Sequence, residues 1–176
     1  MADTKPKSTL DTIANIAIIV VCVVACAVLI NNFLASRRQQ AGPGMPPQAE
    51  KGETFAELQG AMPAGTEKAL FVAVQPGCHF CNESMPFYKK LMDHRNEKGS
   101  NVKVLAAVSS DEAKQPEMQK FSEAGVTPDG IVKVDFAKIK VPGTPTLLLV
   151  DNQGKVLDVW VGKLEPEKEE KVLASL

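Results

Sequence analysis

Aromatic residues are scarce in this 176-residue chain: seven Phe, one Tyr and one Trp make up 5% of it. So thin a supply excludes the stacking platform that holds single-stranded nucleic acid. Neither sign of charge is in excess, with 20 Lys and Arg against 21 Asp and Glu. The basic footprint of a nucleic-acid binder is therefore missing too. The four cysteines are too few for a disulfide-built scaffold, and a chain this long does not need one. There is no internal repeat and no nucleotide- or flavin-binding motif. What is present, 44% hydrophobic and 23% charged residues with a net charge of −1, describes a globular protein of about one domain.

The apolar residues are unevenly spread. Between residues 13 and 30 the only clearly polar side chain is Asn15, and the run continues to Ala35. Residues 13–35 exceed the ~20 needed to cross the hydrocarbon core as a helix, and they show no polar face. The expectation is a transmembrane anchor at 13–35 behind a short tail, 1–12. A secretory apolar core is shorter, ~7–15 residues, and ends at a small-residue cleavage site, whereas this run ends at Ser36-Arg37-Arg38. Val23-Val24-Ala25-Cys26 also resembles a bacterial lipobox, which would make Cys26 a lipidated N-terminus. The apolar residues after Cys26 and Asp11 upstream speak for the span, and either route tethers the chain to a membrane. Cys22 and Cys26, four apart, read as small apolar residues in lipid. Lys5 and Lys7 nearly balance Arg37 and Arg38, so the positive-inside rule says little. A short tail before a single span predicts an inside N-terminus and an extracytoplasmic, periplasmic-side domain.

Residues 36–54 form a Gly- and Pro-rich linker, with 39–48 reading Gln-Gln-Ala-Gly-Pro-Gly-Met-Pro-Pro-Gln. From Phe55 onward, 55–176 suffice for one folded core. Residues 70–74 are continuously apolar and suit a buried strand. After Gln75-Pro76-Gly77 comes a helix whose inner stripe is Phe80, Ser84, Phe87 and Leu91. A second buried strand is expected at 102–108, then a helix marked by Met118, Phe121 and Ala124 that Gly125 ends. A weaker strand at 131–134 precedes a helical turn around Phe136 and Ile139. Val141-Pro142-Gly143-Thr144-Pro145 leads into a strand at 146–150, a turn at Asp151-Asn152-Gln153-Gly154 and a returning strand at 155–161. Pro166 opens a last helix that buries Val172, Leu173 and Leu176. The alternation predicts an α/β fold of three layers, with a mostly parallel sheet and a C-terminal antiparallel hairpin.

Cys78-His79-Phe80-Cys81 falls where the first strand meets its helix. A helix N-terminus presents unpaired N–H groups and about half a positive charge, which favour an anion. A cysteine there ionises more readily than a free thiol of pKa ~8.5, and the thiolate is the species that attacks a disulfide. A second thiol one turn along can close the ring and expel the product. A structural zinc site needs four ligands, and outside the apolar span the chain offers Cys78, Cys81, His79 and a distant His94. Haem attachment needs His after the second cysteine, where Asn82 stands. A merely structural disulfide over so short a loop constrains the unfolded chain little.

The dithiol after a buried strand, Pro86 five residues beyond Cys81, and Thr144-Pro145 before the next strand together resemble the thioredoxin fold. The additional strand and helix expected between Gly125 and Lys140 resemble the insertion of membrane-anchored TlpA/ResA-type proteins. The resemblance implies that Cys78 is the exposed nucleophile and Cys81 the buried resolving thiol. It also implies that Pro145 is a cis-proline facing the dithiol, and that the Thr144 backbone pairs with an extended substrate strand. Pro86 would kink the first helix. The chain departs from thioredoxins in carrying Gly77 where they have Trp, and Val72 where they have a buried acid. That leaves the base for Cys81 open, with Glu83 the nearest carboxylate in sequence and a solvated surface position its simpler reading. His79 can favour the Cys78 thiolate by charge or hydrogen bond, or it can face solvent with no strong effect.

The resulting expectation is a tethered thiol–disulfide oxidoreductase acting on protein thiols and disulfides, supplied by a separate dithiol donor or acceptor. It needs neither cofactor nor metal. Two alternatives stand beside it: a copper metallochaperone of the Sco type, whose cysteines are spaced by three and whose His lies late in the domain, and a non-catalytic peptide-binding module.

Overall fold

The computed structural model describes residues 18, 19, 21–26 and 28, which are helical and exposed, and residues 46–176, which form one compact unit. The remainder of the span expected at 13–35, and residues 36–45 of the linker, lie outside the described residues. Among the described residues no helix is long and apolar enough to cross a membrane.

The compact unit runs α1 (Ala56–Ala61), β1 (Lys68–Ala73), α2 (His79–Glu83), α3 (Met85–Lys98), β2 (Lys103–Val108), α4 (Lys114–Glu123), β3 (Gly130–Lys133), β4 (Thr146–Asp151), β5 (Val156–Val161) and α5 (Pro166–Ala174). The strands form one sheet in the order β3-β2-β1-β4-β5. β1 is buried on both faces because alternate side chains enter two separate cores. Leu70 and Val72 meet side chains from α3, α4 and α5. Ala69, Phe71 and Ala73 share the other core with Leu58 of α1 and with Val134, Ile139 and Val141. Three layers result, as expected.

The sheet corrects one expectation. It is mixed, not mostly parallel: β1 pairs with β2 and β2 with β3 in parallel, whereas β4 is antiparallel to both β1 and β5. The cause lies in residues 134–145, which form turns but no helix. A parallel return needs a crossover long enough to carry the chain back to the other end of the sheet. Here the chain enters β4 at the end where β3 stops, so Thr146 sits opposite Ala73. The expected strand after Gly125 is present as β3, and its pairing covers the outer edge of β2.

Two helical stripes also differ from expectation. The helix after Gly77 is two segments, broken at Ser84, whose N–H reaches both the Phe80 and Cys81 carbonyls. Pro86 stands in the first turn of α3, where its missing N–H costs little. The break leaves Phe80 55% exposed while Phe87 and Leu91 stay buried. Along α4 and its N-cap the inner face is Ala113, Glu117 and Phe121, and Met118 is exposed. Gly125, at φ +67°, closes α4 as expected: its N–H bonds the Ser122 carbonyl, and the Val126 N–H bonds that of Phe121.

The folded unit begins ahead of Phe55. Ala49 is buried and its N–H reaches the Lys140 carbonyl at 2.9 Å. Gly52 and Glu53 bond the main chain of Val156, and Glu53 pairs with Lys140.

Candidate active site

Leaving β1, the chain turns through residues 75–77 and reaches the start of α2. Gly77 holds φ +77° with open space where a Cβ would stand. That backbone conformation suits glycine and would strain a tryptophan, a physical reason for Gly77 at this place. Cys78 is the N-cap of α2, and its Sγ accepts the Cys81 N–H at 3.1 Å. The sulfur thus occupies the position in which a Ser or Asp side chain normally satisfies a free helix N–H.

Cys78 and Cys81 are joined as a disulfide, with an S–S distance of 2.09 Å and Cα atoms 5.3 Å apart. Both lie low in the surface, Cys78 at 8% exposure and Cys81 at 0%. The Thr144–Pro145 peptide bond is cis, and the Thr144 carbonyl oxygen lies 3.4 Å from Cys78 Sγ. Sixty-six residues apart in sequence, the dithiol and the Thr-Pro pair meet because β1 and β4 are neighbours and both segments sit at the same end of them. Pro145 is buried, and its carbonyl accepts the Gly162 N–H at 2.8 Å. The Thr144 hydroxyl is buried without a partner. Among the described residues its main-chain N–H and C=O bond to no other main-chain group.

His79 takes a different direction. Its side chain is 77% exposed and its Nε2 lies 3.0 Å from Glu83 Oε1. Its ring stands edge-on to that of Phe80 with centroids 5.7 Å apart. Glu83 receives Lys163 Nζ on its other oxygen at 2.9 Å. Lys163 chiefly, and His79 after it, hold the Glu83 carboxyl below the usual carboxylate range. Glu83 is therefore a paired surface carboxylate. His94 lies away from the dithiol on α3. Among the described residues no group of three or more His, Cys, Asp and Glu is placed to hold a metal ion.

Two features went unforeseen. The Glu117 side chain is fully buried, with Oε1 on Lys120 Nζ at 2.8 Å and Oε2 without a partner. Its spacing of four from Phe121 was the available signal, masked because a Glu reads as a surface residue. The Tyr88 hydroxyl is likewise buried without a partner, and burial pushes its phenol above the ordinary range.

A disulfide at a helix N-terminus, held against a cis-proline at one end of a five-stranded mixed sheet with helices on both faces, defines the thioredoxin-fold class. Residues 55–176 match the thioredoxin-like domain family, and the chain belongs to it. Among solved structures it is similar to a candidate protein disulfide isomerase from Bacteroides thetaiotaomicron, with 16% identity and a TM-score of 0.56 over 76% of this chain and 92% of that one. A thiol-disulfide isomerase from Corynebacterium glutamicum has 18% identity and a TM-score of 0.50, covering 76% and 96%. A candidate thiol:disulfide interchange protein DsbE from Chlorobium tepidum has 19% identity and a TM-score of 0.50, covering 73% and 98%. At these identities the likeness is one of fold. No curated protein sequence matches the chain.

Proposed function

We propose that the protein is a thiol–disulfide oxidoreductase, tethered by residues 13–35 to the extracytoplasmic face of a cytoplasmic membrane and exchanging disulfides with partner proteins. The observation that carries the reading is the Cys78–Cys81 disulfide at the start of α2, with the Cys81 N–H directed at Cys78 Sγ. That N–H and the helix terminus stabilise negative charge on the sulfur once the bond is reduced. The Cys78 thiolate attacks a partner disulfide, and the resulting mixed disulfide is resolved by Cys81, which the next helical turn already holds at bonding distance. Thr144 offers an unpaired peptide edge to an extended partner segment, with Pro145 fixing that edge against the dithiol. His79, whose Nε2 is turned to Glu83 Oε1, acts on the Cys78 thiolate from the adjacent position by charge rather than by a hydrogen bond. Electrons come from, or go to, a separate dithiol protein, and no organic cofactor or metal takes part.

The deciding measurement is a redox titration of the Cys78–Cys81 couple against glutathione and dithiothreitol buffers, with His79→Ala alongside. A reversible two-electron couple is the expected result. A potential of about −270 mV would mark a reductant and one of about −120 mV an oxidant. A less oxidising couple in His79→Ala would credit the imidazole. A bond that does not reduce reversibly would overturn the reading. For the tether, the full chain should stay with membranes after alkaline carbonate washing, and a chain beginning at Pro46 should not.

A further inference from the structure

Phe80 lies between two buried cysteines and is itself more than half exposed. Among the described residues of the folded unit, the other large apolar side chains left exposed are Met118 and Val161. A single exposed apolar side chain needs no explanation; its surroundings here do. The Phe80 carbonyl is held by the Ser84 hydroxyl at 2.8 Å and by the Ser84 N–H at 3.1 Å. The ring is thus carried on a fixed helical turn. Across Cys78 Sγ lies Thr144, whose N–H and C=O bond to no other main-chain group among the described residues. The glycines beside both segments, Gly77 and Gly143, have nothing within 4 Å of a would-be Cβ, so another main chain can come close. The charges at the rim are already consumed, since Glu83 takes His79 on one oxygen and Lys163 on the other.

We infer that Phe80 is a specificity-determining residue, selecting extended partner segments that carry an apolar side chain two residues from the reacting cysteine. In a strand, side chains i and i+2 share a face. A segment that pairs with Thr144 and points its cysteine at Cys78 therefore turns the side chain two residues away toward the protein as well, and Phe80, two residues beyond Cys78 on α2, is the exposed apolar side chain next to the dithiol. Phe80 supplies an apolar contact there, and the Glu83 carboxylate beside it is already paired with His79 and Lys163, so Leu, Val or Phe is favoured over Asp or Lys. This rests on the oxidoreductase reading above. In the reaction, the Cys78 thiolate breaks the peptide S–S bond and forms a mixed disulfide, releasing one peptide thiolate. Cys81 then attacks Cys78 Sγ, and the second peptide sulfur leaves with the proton that Cys81 gives up. The peptide gains two electrons and the protein dithiol loses them.

The test uses the full chain in detergent, reduced with dithiothreitol and freed of it. The substrates are two peptide disulfides identical except for Leu or Asp two residues from the cysteine, with hydroxyethyl disulfide as a small-molecule control. The expected result is a ratio of about ten between the second-order rate constants of single-turnover exchange, in favour of the Leu peptide, the range a partly buried anchor supplies. That ratio should fall toward one in Phe80→Ser and stay largely intact in Phe80→Leu. A ratio near one in the native chain, or one that Phe80→Ser leaves unchanged, overturns the inference. So do rates that fall as protein concentration rises, which would place a second copy of the chain over Phe80. No exchange even with hydroxyethyl disulfide would instead remove the oxidoreductase reading, and this inference with it.

Discussion

Cys78 and Cys81 receive different surroundings from the same helical turn. Cys78 caps α2, with its sulfur against the Thr144 carbonyl and the Cys81 N–H, while Cys81 is fully buried behind it. An incoming sulfur therefore meets Cys78 first, and Cys81 acts only on what Cys78 has already bound. Cys81→Ser is expected to accumulate a mixed disulfide at Cys78, visible by mass spectrometry under non-reducing conditions. Cys78→Ser should form no such adduct and lose exchange activity altogether; an equal yield of adducts from both variants would reverse the assignment. The pair itself is legible in the sequence because both residues lie within one turn. The exposure of Phe80 is not, since it follows from the break at Ser84, and that break depends on how Met85 and Phe87 seat in the core.

Among the elements, α1 and the β4–β5 hairpin are joined at one glycine. Gly154 holds φ +75°, and an added Cβ would meet the Phe55 carbonyl oxygen and the Gln59 main chain. The Phe55 N–H bonds the Gly154 carbonyl at 2.9 Å, so neither side can withdraw without losing that bond. Gly154→Ala is expected to cost about 2–4 kcal/mol, from the backbone strain and the clash together, read as a lower urea midpoint. Gly125→Ala, strained at φ +67° but in roomier surroundings, should cost about 1 kcal/mol. The sequence marks both glycines as turn residues. It does not mark α1, a short helix whose single fully buried side chain, Leu58, has too little pattern around it to stand out. Nor does it mark Glu117, buried on the face where Met118 was expected.

For the molecule as a whole, acid is the informative stress. Asp111, in the turn after β2, pairs with Lys114 at the start of α4 and with Lys133 at the end of β3. These two lysines hold its carboxyl down at about 2, from an ordinary value of 3.8. Because the folded value is the lower one, the stabilisation is complete above the unfolded value. It is lost as pH falls from about 4 through about 2. Urea midpoints of the native chain and of Asp111→Asn should therefore differ near neutrality and converge toward pH 2. A gap of constant size across that range would show that the pairs do not couple to folding.

The order of strands and helices from β1 onward, the turn at residues 151–154, the dithiol at a helix start and the Thr144-Pro145 step were all readable in the chain. Each depends on residues close in sequence, where periodicity, turn chemistry and spacing act directly. The sequence also carries the apolar run at 13–35. The tertiary structure alone decided that β4 runs against β1, that β3 covers the β2 edge and that Phe80 points to solvent. Those outcomes turn on which distant segments share a surface, and main-chain pairing and core packing settle that only when the whole sheet is assembled.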